Sequence, residues 1–240
     1  FFIPYTASGF AACGKLFSSL FGIEYLPAMI VSAIVIVAYT SLGGFLAAST
    51  TDFIQSIVMT IAIVVVLGFG IHTAVGVDAV IKNAEALPGY LSFTSTYNLE
   101  TGTASPYGAL SIVSTMAWGL GYFGMPHILL RFMAIKDEKK LSLSRRVATV
   151  WVVISLAVAI CIGIVGYSMS KVNAIPTFTS SGEAETVIVQ ISDLLASKGV
   201  LTAIVAGIIL AGILAATMST ADSQLLAASS AVSQNLLNGV

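Results

Sequence analysis

An apolar run from Ala109 to Met133 is long enough to cross a bilayer, which takes about 20 residues. It carries Trp118-Gly-Leu-Gly-Tyr-Phe-Gly-Met-Pro126 at its centre, three glycines and a proline within eight residues. Glycine weakens a helix entropically, and proline removes a donor and clashes with the preceding turn. This predicts a helix that breaks at about membrane depth. Broken backbone in lipid is tolerated only where protein or a polar cavity satisfies its N–H and C=O groups. In secondary transporters such breaks hold substrate or coupling ion. The alternative is a glycine-rich packing face with a proline kink.

Composition agrees with a membrane setting. Hydrophobic residues make up 57% of the chain and charged residues 9%, and the mean hydropathy is +0.99. A soluble domain carries about 25% charged residues. The net charge of −1 argues against a nucleic-acid partner. Cys13 and Cys161 lie in apolar segments, where free thiols packed like small hydrophobes are expected. The chain starts at Phe1 and stops at Val240 just after an apolar segment, so it reads as an internal fragment.

Around the broken run the hydropathy pattern predicts further spans, at about 1–20 (partial), 28–43, 45–72, 147–169 and 200–226. Gly43-Gly44 is the stop signal between the second and third. Asp52 and Gln55, with Ala48, lie along one face of the third span. Asp52 reads either as a charge at a helix N-terminus, favoured by the dipole, or as a carboxylate beside an ion pathway. Residues 78–87 are expected to form a short surface helix. A segment with Val187, Ile188, Ile191, Leu194 and Leu195 on one helical face is expected to lie flat on the outer surface. The loop 131–146 holds Arg131, Lys136, Lys139, Lys140, Arg145 and Arg146 against Asp137 and Glu138, which predicts a cytoplasmic position for it.

The last span contains Thr217-Met-Ser-Thr-Ala-Asp-Ser-Gln224. Ala216, Ser219 and Thr220 stand at i, i+3 and i+4, so one turn offers a carbonyl and two hydroxyls. Oxygen ligands of low charge suit a hard cation such as Na⁺. Asp222 follows three residues after Ser219, where it can attract a cation without binding it. The alternative is a hydroxyl cluster that caps its own backbone or joins helices. An aspartate inside an apolar run is costly unless paired or functional. Gly207, Ala211 and Ala215, spaced by four, predict the face where a neighbouring helix approaches closely. No metal-ligand spacing, nucleophile–base pair or phosphate loop points to an enzyme, and His72 and His127 read as structural.

Three blocks together resemble the sodium/solute symporter family, in its order and spacing. They are Gly43-Gly-Phe-Leu-Ala47 with Thr51-Asp52 and Gln55; Trp118 to His127 with Arg131-Phe-Met133; and Ala215 to Leu226. Within the family the resemblance is to the bacterial members that carry sodium with proline. It implies an all-α membrane protein, part of the LeuT-like fold of inverted repeats, with about five complete spans plus part of another. Residues 1–240 would be part of a single transporter domain in a multi-pass plasma-membrane protein. The N- and C-terminal helices of the same protein, among them the first broken helix, would be its missing partners. The resemblance also implies Na⁺ as coupling ion and a small organic solute, L-proline foremost, carried by alternating access. It assigns Ala216, Ser219 and Thr220 to the sodium site and Asp52 to sodium passage. Trp118, Tyr122, Pro126 and Tyr5 fall on substrate positions. Met125 stands where a polar residue is familiar, and Asp222 is not universal in the family. The competing expectations are a sensor input domain of a signalling protein, a channel-like conductor, and a symporter for another solute.

Overall fold

The computed structural model describes residues 2–122 and 124–237. Nine α-helices and a two-stranded hairpin are formed among them. Two compact units divide the chain. One combines the N-terminal stretch up to Ala62 with the C-terminal stretch from Gly207, and the other is Ile63–Ala206.

α1 (Phe2–Phe21) and α2 (Tyr25–Thr73) open the chain. The spans expected at 28–43 and 45–72 are both helical and form one element with a kink at Gly44. There φ is 56° and ψ −150°, a combination essentially reserved for glycine. In the first unit, α1 meets α2 where Gly14 lies against Met29; a Cβ on Gly14 would stand 2.6 Å from that of Met29. Cys13, Ile36 and Ala221 form a buried cluster flanked by Phe10, Tyr39 and Met218. Cys13 is therefore packed like a small hydrophobe, whereas Cys161 is a free thiol on an exposed face.

The close approach on α9 (Val200–Ser230) is not at Gly207, which has nothing near it. The close approaches are at Gly212, where a Cβ would come 3.2 Å from that of Ala62 and 3.6 Å from Met59 Cα, and at Ala221, whose Cβ lies 3.1 Å from where one on Gly9 of α1 would stand. A spacing of four marks a stripe but not its orientation. The buried positions Ile209 and Gly212 lie on a neighbouring stripe. A π-helical turn, Ala231–Leu237, follows α9.

In the second unit, α3 (Val77–Glu85) matches the expected short helix and buries Val80 and Ala84, packing on α6 (Leu141–Lys171). α7 is a single turn, Ser181–Ala184. α8 (Val187–Ala196) matches the expected amphipathic segment, with its buried face turned to Val189, Ile191, Ser192 and Leu195. It lies against α6, and Val187 fits because Gly166 has no Cβ. The strands β1 (Ser95–Asn98) and β2 (Thr103–Pro106) were not legible in the polar loop. They pair antiparallel from Ser95↔Pro106 to Asn98↔Thr103. The turn is held by Asn98 Oδ1, which accepts from the N–H groups of Glu100 and Thr101, and by Gly102 at φ 66°.

The broken run appears as α4 (Ala109–Tyr122) and α5 (Pro126–Met133). Among the described residues, three helical stretches are both long and apolar enough to span a membrane: Tyr25–Thr73, Glu138–Lys171 and Val200–Gln234. Most of their apolar surface faces outward, with only 6% of the apolar window of Glu138–Lys171 buried. Such surface needs a lipid environment. The chain is a multi-pass membrane protein.

Candidate functional site

The residues assigned from sequence fall into two groups, one in each unit. In the first unit, the hydroxyls of Ser219 and Thr220 both donate to the Ala216 carbonyl, at 3.1 and 3.3 Å. The three oxygens expected to share one turn are therefore together. A hydroxyl that donates its proton inward keeps lone pairs for a cation outside. Thr220 is exposed and Ser219 half-buried, so the face is open on the side of Thr220.

One turn further, Asp222 is completely buried. Its Oδ2 accepts from the Tyr39 hydroxyl at 2.8 Å and its Oδ1 from the Ser223 hydroxyl at 3.1 Å. The Ser223 hydroxyl also lies 2.9 Å from the Ser219 carbonyl, which links the carboxylate to the Ser219 turn. Tyr39 was not singled out from sequence. Its signal was faint: one tyrosine in an Ile-Val-Ala segment, four and five residues before a Gly-Gly pair.

Asp52 is half-buried in α2. Helix resumes directly after Gly44, so Asp52 stands two turns inside it and is not an N-terminal charge. Its carboxylate is close enough to Tyr39 to act on it electrostatically. The Tyr39 hydroxyl is thus hydrogen-bonded to Asp222 and also feels the charge of Asp52. Gln55, three residues on, keeps a buried Oε1 with no hydrogen-bond donor among the described residues, and so does the fully buried Gln224. Tyr5 is half-buried on α1, and the neighbouring Ser8 bonds to the Tyr5 carbonyl at 2.7 Å.

In the second unit, the break lies where glycine and proline predict it. Gly124 N–H donates to the Gly121 carbonyl at 3.0 Å and Met125 N–H to that of Tyr122 at 3.3 Å, closing α4 with tight turns. Met125 is extended and Pro126 opens α5, where a missing N–H costs nothing. Phe123, part of the same stretch, lies outside the described residues. Trp118 and Tyr122, one turn apart, place their ring centroids 6.3 Å apart at a 56° tilt. Both rings are exposed, and α4 buries none of its described side chains. The result is an uncovered aromatic face ending at a helix break. Apolar ring faces thus stand shortly before the N-terminal, positive end of the α5 dipole.

Among the described residues no group of His, Cys, Asp and Glu could hold a metal by clustered side chains. A weakly held cation on hydroxyl and carbonyl oxygens is a different kind of site.

The whole chain, residues 1–240, matches the sodium:solute symporter family. The chain belongs to this family. It is 40% identical over 235 residues to sodium/proline symporter 2 of Staphylococcus saprophyticus, covering 98% of this chain and 42% of that protein. It is also 40% identical to the sodium/proline symporter of Haemophilus influenzae, covering 100% of this chain and 45% of that one. The sodium/proline symporter of Staphylococcus aureus is 37% identical, over 98% of this chain and 42% of its own length. The chain thus spans less than half the length of the curated relatives it matches. No solved structure matches it. The family is one of transporters and not of enzymes.

Proposed function

We propose that this symporter-family chain is part of a single transmembrane domain that couples Na⁺ entry to uptake of a small organic solute, L-proline foremost. The observation that carries the reading is the break between α4 and α5, which follows directly on Tyr122 and one turn after Trp118, both of them exposed. The two rings offer faces to an apolar ring such as pyrrolidine. The start of α5, with Pro126 at its first position, attracts a carboxylate through the helix dipole. Tyr5 is a further substrate-side aromatic. Ala216, Ser219 and Thr220 hold Na⁺, and Asp52 and Asp222 lower the cost of bringing a cation into their unit. The relatives' printed names, sodium/proline symporters, support both ion and solute.

In this reading Na⁺ binds first and favours the outward-open conformers, because it binds them more tightly than the others. The membrane potential adds about 2.3 kcal/mol per charge per 100 mV to the chemical gradient. The basic loop between α5 and α6 lies on the cytoplasmic side, and the hairpin of β1 and β2 on the outer side.

The test is uptake by the full-length protein in proteoliposomes with Na⁺ or K⁺ outside. Proline uptake that requires Na⁺ is expected. Ser219→Ala and Thr220→Ala should raise the Na⁺ concentration for half-maximal uptake more than they alter solute preference. Proline uptake equal in K⁺ would overturn the coupling, and absence of proline uptake would overturn the solute. A change of preference without a change of sodium dependence would overturn the role given to the Ser219 turn.

A further inference from the structure

Tyr107 ties the hairpin between α3 and α4 to α4. Tyr107 N–H donates to the Thr94 carbonyl at 2.7 Å, just beyond the Ser95↔Pro106 pair, so it extends the ladder past the proline that cannot donate. Its hydroxyl lies 2.7 Å from Thr115 Oγ1. Thr115 Oγ1 also lies 2.9 Å from the Ser111 carbonyl, which can only accept. A threonine hydroxyl has one proton. Thr115 spends it on Ser111, so Tyr107 is the donor and its ring is oriented by that bond.

The register of α4 gives this bond its meaning. Thr115, Trp118 and Tyr122 stand at i, i+3 and i+7, one stripe of the helix. Tyr122 lies about 10 Å along the axis from Thr115, by a rise of about 1.5 Å per residue. Tyr107 therefore caps the end of the stripe away from the break. The base of the hairpin is held as well. Tyr90 and Tyr97 meet edge to face at 6.2 Å, and Gly89 sits so close to the strands that a Cβ would come 2.8 Å from that of Ser95 and 2.9 Å from that of Ala104. A ring carried on an anchored hairpin is a fixed wall, unlike a side chain on a free loop.

We propose that Tyr107, positioned by Thr115, is the outer wall of the solute site on α4 and limits the size of the solute that reaches Trp118 and Tyr122. This rests on the reading of that face as the solute site. The solute class it selects is a compact cyclic or short amino acid.

The experiment compares uptake of proline with that of its six-membered-ring homologue by the full-length protein in proteoliposomes. One methylene in a fitted pocket is worth a discrimination of about 10- to 200-fold. Tyr107→Ala should lower the wild-type ratio by about tenfold, within that range. Tyr107→Phe and Thr115→Val should each lower it by less and by the same factor, and their combination by no more than either. A ratio unchanged in Tyr107→Ala but altered in Trp118→Ala would overturn the wall while leaving the solute site in place. A second measurement does not depend on which solute is carried. A cysteine replacing Tyr122 in an otherwise cysteine-free protein is labelled from outside by a small and by a bulky impermeant thiol reagent. Tyr107→Ala should speed the bulky reagent at least several-fold more than the small one. Equal acceleration of both, or none, would overturn the proposal even if proline proved not to be the solute.

Discussion

Replacing Tyr39 by phenylalanine removes one oxygen and keeps the ring. In the structure that oxygen donates to Oδ2 of a carboxylate with no solvent exposure, 2.8 Å away. A hydrogen bond to a charged group contributes about 1.5–3 kcal/mol in water-soluble proteins. In membranes, measured couplings average about 0.6 kcal/mol and reach about 1.7, because the unfolded chain in lipid also finds partners. The Tyr39 bond belongs at the upper end of the membrane range, since its acceptor is a buried aspartate and not a neutral amide. Tyr39→Phe should therefore destabilise the protein by about 1–1.7 kcal/mol, roughly a tenfold shift of the folding equilibrium. Asp222→Asn lowers the charge at the acceptor. In that background the same change should cost only about 0.5 kcal/mol, close to the membrane average for neutral pairs. The assay is a double-mutant cycle on the detergent-solubilised full-length protein, followed by denaturant titration. The Ser223 hydroxyl, shared between Asp222 and the Ser219 carbonyl, provides a second readout. Loosening Asp222 should raise the Na⁺ concentration for half-maximal uptake in Tyr39→Phe. Strict additivity in the cycle would refute the argument, because it would mean that Tyr39 and Asp222 do not interact in the folded protein.

Two further outcomes follow from local geometry. Gly44→Ala puts a side chain on φ 56°, ψ −150°, where nothing obstructs a Cβ but the backbone itself is disfavoured. It should cost about 1–3 kcal/mol in thermal unfolding. Gly68→Ala, in the same helix and with equally open surroundings, should not destabilise. Glu183 accepts from the Thr179 N–H at 2.8 Å and its hydroxyl at 2.9 Å, which hold its carboxyl below the ordinary value of 4.5. A depressed folded-state pKa means that the contribution is present above the unfolded value and lost as pH falls through the folded one. Amide protection at Thr179, taken relative to its intrinsic exchange rate, should therefore fall as pH is lowered from about 5. Persistence of that pH dependence in Glu183→Gln would rule out this cause.

What the sequence made legible was local. Gly44 and the Gly124-Met125-Pro126 break were readable because glycine and proline act on their own turn, whatever packs around them. The Ala216–Ser219–Thr220 cluster was readable for the same reason: a spacing of three and four closes within one turn, and the hydroxyls converge on Ala216 as that spacing requires. The orientation of stripes was not readable. Small residues at Gly207, Ala211 and Ala215 mark a contact face, yet the close contacts run through Gly212 and Ala221. In an element apolar on every side, hydropathy does not distinguish the face toward protein from the face toward lipid.

The hardest feature to foresee was the pairing of Tyr39 with Asp222, 183 residues apart. An aspartate in an apolar run announces that a partner must exist, because an isolated buried carboxylate is too costly to persist. It does not say which of the chain's eight tyrosines supplies the donor. In the proposed reading, a carboxylate held by the hydroxyls of Tyr39 and Ser223 adds negative potential one turn from the Ser219 hydroxyl, and that potential offsets part of the desolvation of a cation placed there.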